Sequence, residues 1–146
     1  MRKIYLIVLS TLFLISCSTD LKVEATKNKY KSEVLLQAVT ENVLGETINF
    51  PDSNETITSA IRVIPSGKNT GIHMHEAIPV VYMIDGEITI NHETEEGLIK
   101  TVVRKGESFV GATNNWHDAE VTSESDAVAH VVFIGAKNLR NSINRD

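Results

Sequence analysis

Cysteine, proline and aromatic residues are all scarce in this chain of 146 residues. Its single cysteine, Cys17, cannot form an intramolecular disulfide, so a folded domain must be held together by packing. Proline occurs three times and aromatic residues make up 5% of the chain, but the apolar content of 42% still allows a hydrophobic core. The length is sufficient for one domain with such a core and too short for two.

Basic residues are also fewer than acidic residues. Lys and Arg number 14 against 19 Asp and Glu, which gives a formal net charge of -5, and the basic residues form no cluster. An acidic surface repels the phosphate backbone, so we expect no nucleic-acid partner. The composition is typical of a globular domain with an acidic surface.

Long apolar runs are absent except at the start of the chain. Arg2 and Lys3 precede the apolar stretch from Ile4 to Ile15, which is shorter than the roughly 20 residues that a membrane span needs. Its length is typical of a secretory signal. The stretch ends in "LISC", with Cys17 as its last residue, and this pattern resembles a bacterial lipoprotein signal. The alternative is an ordinary signal peptide followed by a chance cysteine.

The lipoprotein resemblance makes several predictions about the first part of the chain. Residues 1–16 would be a cleaved signal peptide, and Cys17 would be lipidated and become the mature N-terminus. The polar segment 17–32, which has no apolar period, would be a flexible tether. The domain would then be exported and held at the bacterial cell envelope, anchored in a membrane by its N-terminal lipid.

Residues 33–136 are divided into short β-forming runs separated by turn residues. Strong turn signals occur at Pro65–Gly71, Asp85-Gly86 and Lys105-Gly106. No segment has a convincing helical period. Eight or more short strands in about 110 residues predict a single β-sandwich or β-barrel domain. Residues 137–146 are interpreted as a C-terminal tail.

Two of the five histidines, His73 and His75, are one residue apart in a strand-like segment. Residues i and i+2 of a strand point to the same side, so these two imidazoles should project together. His117 begins another strand-like run and could come from a neighbouring strand. Three imidazoles on one face form a common ligand set for transition metals. Two surface histidines on an edge strand remain the alternative for His73 and His75.

The spacing of these residues resembles the two motifs of the cupins. Gly67, His73, His75 and Gly86 match the first motif, G-x5-H-x-H-x3,4-E-x6-G. Gly106 and His117 match the second motif, G-x5-P-x-G-x2-H-x3-N, and the resemblance extends over about Val34 to Gly135. It implies an all-β, single-domain cupin double-stranded β-helix, which is a jelly-roll β-barrel. It also implies one divalent transition metal (Fe, Zn, Mn or Ni) held in the barrel mouth by the three histidines.

The sequence departs from the cupin motifs at several positions. Pro79 occupies the position of the usual glutamate ligand, and proline has no side-chain atom that could bind a metal. In the second motif, Ala112, Asn114 and Val121 replace the proline, the glycine and the asparagine. We interpret Pro79 as the mark of a subtype that uses three histidines without a carboxylate.

Several other residues could add to the site or lie close to it. Glu76 should point away from the metal if its strand is regular, and His92 should be exposed to solvent. His130 either belongs to the core or faces the barrel interior, where it would be a candidate pocket residue or ligand. Trp116 either lines the pocket or caps the core. Arg62 lies in an apolar context and would either pair with an acidic residue or bind an anionic ligand.

Two function classes follow from this reading. One is a metal-dependent enzyme that modifies a small molecule, of the dioxygenase or isomerase type that the cupin resemblance implies. The other is a non-catalytic module that binds a small ligand or a metal at the cell envelope. The depth of the pocket should help to discriminate between them. Exposed edge strands also predict a homodimer.

Overall fold

The computed structural model describes residues 33–145. The predicted signal peptide 1–16, the lipidation site Cys17 and the tether 17–32 lie outside the described residues. Within the described part of the chain, no helix has the length and apolar content needed to cross a membrane. The described residues form nine strands: β1 (Glu55–Ile64), β2 (His73–Met74), β3 (Ile78–Asp85), β4 (Glu87–Thr94), β5 (Gly97–Arg104), β6 (Ser108–Val110), β7 (His117–Glu120), β8 (Ala127–Ala136) and β9 (Ile143–Asn144).

The strands form two antiparallel sheets. One sheet has four strands in the order β1-β8-β3-β6, and the other has five strands in the order β5-β4-β7-β2-β9. Neighbouring strands within each sheet are mostly distant in sequence, as expected when the chain crosses repeatedly from one sheet to the other. The predicted all-β jelly roll is therefore confirmed.

The core lies between the sheets and follows the alternation of the strands. Along β8, Ala127, Ala129, Val131 and Phe133 are buried, whereas the residues between them are partly exposed. Strand β4 has the same two-residue period. Because side chains of a strand alternate between its two faces, each sheet turns one apolar face inward. The buried cluster also includes Met83, Val103 and Val121 from other strands.

The turn between β3 and β4 explains why the first motif requires a glycine. Gly86 has a φ of 74°, a conformation that residues with a Cβ atom adopt at a cost. A Cβ atom at Gly86 would also lie 2.5 Å from the carbonyl oxygen of Asp126 and 2.9 Å from the Cα atom of Ala127. Both the backbone conformation and the close approach of the β7–β8 connection therefore exclude a side chain.

The segment interpreted as a C-terminal tail takes part in the sheet. Strand β9 pairs with β2, so that His73 is opposite Asn144 and Met74 is opposite Ile143. Glu76 and Arg140 form a two-pronged ion pair next to this junction. These contacts hold residues 140–144 against the strand that carries His73, which places the end of the chain beside the histidines.

Candidate metal centre

Three neighbouring strands bring histidines into one row across the five-stranded sheet. His92 of β4 is the register partner of His117 of β7, and His117 is in turn the partner of His73 at the start of β2. His75 follows two residues after His73 and lies on the same side. Cross-strand register therefore assembles four imidazoles from three separate parts of the sequence on the inner face of the sheet.

Three of these rings form a compact triangle. The ring centroids of His73, His75 and His117 are between 4.5 and 5.0 Å apart. One nitrogen from each ring lies within 4.8 Å of the other two. A metal ion with bonds of about 2.1 Å separates two ligand atoms by at most about 4.2 Å, so a small inward shift would be enough. The structure thus brings together the three residues that the sequence proposed as metal ligands.

Backbone carbonyl groups set the orientation of all three rings. The Nδ1 atom of His73 is 2.9 Å from the carbonyl oxygen of Gly71, and that of His117 is 2.8 Å from the oxygen of Asn115. His75 makes the corresponding contact, 2.5 Å long, with the oxygen of Asn141. A carbonyl oxygen can only accept, so each Nδ1 must carry the proton. Each Nε2 atom therefore keeps its lone pair, as a metal ligand requires.

The protein environment also keeps two of these imidazoles, those of His75 and His117, uncharged. Burial, with a further contribution from His117, lowers the pKa of His75 to about 3. Burial and the nearby rings of His73 and His92 lower the pKa of His117 to about 4, although its hydrogen bond to Asn115 acts in the opposite direction. Only neutral imidazole binds a metal ion, so protons compete weakly at these two positions near neutral pH.

The position of the usual carboxylate ligand is filled by an apolar contact. Pro79 is buried in β3, faces the same cavity as the histidines and packs on Gly111. A Cβ atom at Gly111 would lie 2.7 Å from the Cγ atom of Pro79, so the glycine provides the space that the proline ring fills. The donor set is three neutral nitrogens with no carboxylate, which suits a borderline transition metal and leaves positions open for another ligand.

The triangle of histidines lies in the wall of a cavity of about 500 Å³ between the two sheets. This volume is in the range of small-molecule sites. The lining is largely apolar and includes Val81, Ile90, Ala129, Val131 and Phe133. Arg62 is the one permanently charged residue in the lining, and no acidic residue within residues 33–145 forms an ion pair with it.

Two residues proposed for the pocket do not line this cavity. His130 lies on the outer face of the four-stranded sheet, where its Nε2 atom is 2.8 Å from the hydroxyl oxygen of Ser59. Its place in β8, between the inward-facing Ala129 and Val131, turns its ring away from the histidine triangle. Trp116 instead packs under the guanidinium group of Arg145, which lies 5.2 Å from the ring centroid.

Glu76 also lies outside the site, as its strand position suggested. Its two carboxylate oxygens accept hydrogen bonds from the Arg140 side chain, each 3.1 Å long. These bonds lower the pKa of Glu76, which stays ionised on the outer side of the sheet.

The expectation that His92 is exposed is wrong, because only 1% of the residue is accessible to solvent. Its pKa is lowered, mainly by burial. A signal for this was present in the sequence: Ile88, Ile90 and His92 share one face of β4, and the first two are core residues. Sequence reasoning also missed Asn115 and Asn141, which orient histidines. The carbonyl of Asn141 comes from a separate part of the chain, and no local sequence pattern predicts its contact with His75.

These features define a jelly-roll protein with a histidine cluster, able to hold a metal ion, in a small apolar cavity. A family model described as "Cupin domain" matches residues 60–133, just over half of the chain. The chain belongs to the cupin family, and all three histidines of the triangle fall within the matched region. No curated protein sequence matches the chain significantly.

Solved structures with a similar fold include oxalate decarboxylases. The enzyme of Lactobacillus farciminis, in a formate complex, superposes with a TM-score of 0.54 at 18% identity over 61% of this chain and 26% of its own. The Bacillus subtilis enzyme, studied for its Mn(II) centres, has a TM-score of 0.54 at 16% identity over 61% and 24%. The matched part of the chain therefore covers about a quarter of each enzyme, and at this identity the likeness shows the fold alone.

We predict that the metal-free protein loses stability as the pH falls from about 7 to about 5. In the unfolded chain His75 and His117 take up protons near the ordinary pKa of 6.5, whereas the folded protein takes them up near 3 and 4. The unfolded state then binds more protons, so the free energy of unfolding falls with pH by up to about 1.4 kcal/mol per pH unit for each histidine.

Urea denaturation in the presence of a chelator, at several pH values in this window, measures the slope. The double variant His75→Asn/His117→Asn should have a much flatter pH dependence. Equal slopes for the wild type and the double variant would contradict the assignment.

Proposed function

We propose that His73, His75 and His117 hold one divalent transition metal ion and that this cupin acts on a small molecule bound at that ion, with chemistry of the dioxygenase type. The observation that carries the proposal is the convergence of three imidazoles whose Nδ1 atoms are all bonded to backbone carbonyls. Such an arrangement presents three preformed nitrogen donors. Fe, Zn, Mn and Ni are all compatible with this donor set.

The residues around the ion have separate tasks in this proposal. The metal would supply a Lewis-acid or redox centre that binds and polarises the substrate. Phe133, whose ring centroid is 5.2 Å from that of His75, and the aliphatic lining would form the apolar wall around the bound molecule. Pro79 contributes no charge, so a bound divalent ion would keep its full positive charge.

Charge favours an anionic small molecule as the ligand. Three neutral imidazoles do not compensate the charge of a divalent ion, and Arg62 adds a second positive charge to the same cavity. A carboxylate is the simplest group that both charges would attract. The oxalate decarboxylases with a similar fold act on a dicarboxylate, as their name states, and this is consistent with the same class of ligand.

Elemental analysis of the protein, purified without added metal or chelator, tests the metal site. We expect about one transition metal per chain in the wild type and none in the triple variant His73→Ala/His75→Ala/His117→Ala. The variant His130→Ala is the matched control, since it removes a histidine from the outer face and should retain the metal. Stoichiometric metal in the triple variant would refute the site.

A non-catalytic binding module is the second candidate, because within the described residues the cavity contains no carboxylate that could serve as a general base. Oxygen consumption by the iron-loaded protein with candidate small acids, thiols and diketones separates the two candidates. Saturable ligand binding without turnover for any metal would favour the binding module.

We also propose, on the basis of the sequence, that the protein is a lipoprotein of the bacterial cell envelope. The cationic start, the apolar stretch and the position of Cys17 support this. The full-length chain expressed in a bacterium should incorporate a labelled fatty acid and sediment with membranes. The Cys17→Ser variant should do neither, and equal labelling of both proteins would contradict the lipid anchor.

We propose further that two copies of the chain associate through β1. This strand is ten residues long, forms one edge of its sheet, and carries Ile57, Ile61 and Val63 exposed by 57–76% on its outer face. Such an edge is a template for another strand. Sedimentation analysis should give a dimer that Ile61→Lys converts to a monomer, whereas Ile99→Lys on β5 should not. A monomeric wild type at all concentrations would disprove the dimer.

A further inference from the structure

The fourth histidine of the row has an unused nitrogen in the cavity wall. His92 is 1% exposed, its ring lines the same cavity as the triangle, and its centroid is 5.2 Å from that of His117. Its Nε2 atom is buried and has no hydrogen-bond partner among the described protein atoms. Leaving a buried polar atom unpaired is unfavourable, so this position is expected to have a partner when the site is in use.

The side chain of Asn115 fixes which nitrogen of His92 carries the proton. The Nδ2 atom of Asn115 donates a hydrogen bond of 2.7 Å to the carbonyl oxygen of Glu93. The opposite end of the amide, Oδ1, therefore faces the Nδ1 atom of His92 at 3.1 Å and must accept from it. The proton is on Nδ1, and Nε2 is left as a pure acceptor.

His92 differs from the three metal-binding candidates in its distance from their centre. The nitrogens of His73, His75 and His117 form a group within 4.8 Å that does not include His92. A fourth direct ligand would need to lie within the same distance of the others. The position of His92, beside the triangle and in the same wall, instead suits an acceptor for a molecule that is already bound at the ion.

We propose that His92 is a specificity-determining residue whose Nε2 atom accepts a hydrogen bond from an O–H or N–H group of the small molecule bound at the metal. The inference rests on the proposed metal site and narrows its ligand class. Together with the positive charges of the ion and Arg62, it selects acids that carry a hydroxyl or amino group beside the carboxylate. An acid of the same size without this donor leaves Nε2 unpaired and binds more weakly.

Two probes that differ in the donor test this selection. Co(II)-loaded protein is titrated with glycolate, which has an α-hydroxyl group, and with methoxyacetate, in which that hydrogen is replaced by methyl; the visible Co(II) absorption reports binding. The wild type should prefer glycolate, and His92→Phe should reduce the ratio of the two dissociation constants by about five- to tenfold, the contribution of one hydrogen bond. Azide, which binds the metal and has no hydrogen to donate, should bind both proteins equally.

Two further variants separate hydrogen bonding from general damage to the site. Asn115→Ala should reduce the preference as well, because His92 is then free to adopt the other tautomer. His130→Phe makes the same replacement as His92→Phe on the outer face of the other sheet and should leave both dissociation constants unchanged.

The outcomes distinguish this inference from the proposed function. Failure of the wild type to bind Co(II) overturns the metal site and the role of His92 with it. Co(II) binding with the same glycolate preference in the wild type and His92→Phe overturns the role of His92 alone. If His92→Phe does not fold, the ¹⁵N shifts of the wild-type imidazole decide: a proton on Nδ1, together with loss of preference in Asn115→Ala, supports the proposal, and a proton on Nε2 refutes it.

Discussion

The organisation of the site depends on one repeated interaction, the hydrogen bond from a histidine Nδ1–H to an oxygen fixed by the fold. Three backbone carbonyls and one asparagine side chain provide these oxygens, and each determines both the orientation of a ring and the position of its proton. Without them the imidazoles could rotate and exchange tautomers, and metal binding would carry the entropic cost of ordering the rings. Because three of the acceptors belong to the main chain, their positions are set by the strands and turns around the site rather than by further side chains.

The distribution of polarity in the cavity follows from the same alternation that builds the core. Strand β4 presents Ile88, Ile90 and His92 to the interior, and β7 presents His117 and Ala119. One end of each inward face is therefore apolar and the other ends in an imidazole. Burial lowers the pKa values of His75 and His117, which keeps these two imidazoles neutral and available as ligands. The packing that stabilises the sheets thus also keeps these imidazoles in the neutral form that can bind a metal ion.

Pro79 changes the electrostatics of the centre more than its shape. The proline ring is accommodated by Gly111, whose backbone N–H donates a 2.8 Å hydrogen bond to the Pro79 carbonyl oxygen. The strand pairing around this position is thereby maintained, although the residue itself has no amide hydrogen. What is lost is one negative charge beside the imidazoles. A centre of this type depends on its ligand for charge compensation, which links the absence of the carboxylate to the anionic molecule proposed as its partner.

The sequence by itself determined the local features of this protein. Two-residue alternation, turn glycines and the absence of a helical period specified an all-β domain, and the i, i+2 spacing placed His73 and His75 on one side. His117 was proposed as the third histidine because it begins another strand-like run, and the spacing of the cupin motifs supported that assignment. Tertiary structure decided the rest, because it depends on register between strands that are far apart in sequence. Register placed His92 beside His117, and the return of the chain brought Asn141 to His75 from a segment with no strand signal of its own. A local sequence pattern predicts which residues share a face of one strand. Only the pairing of strands determines which of these faces lie side by side.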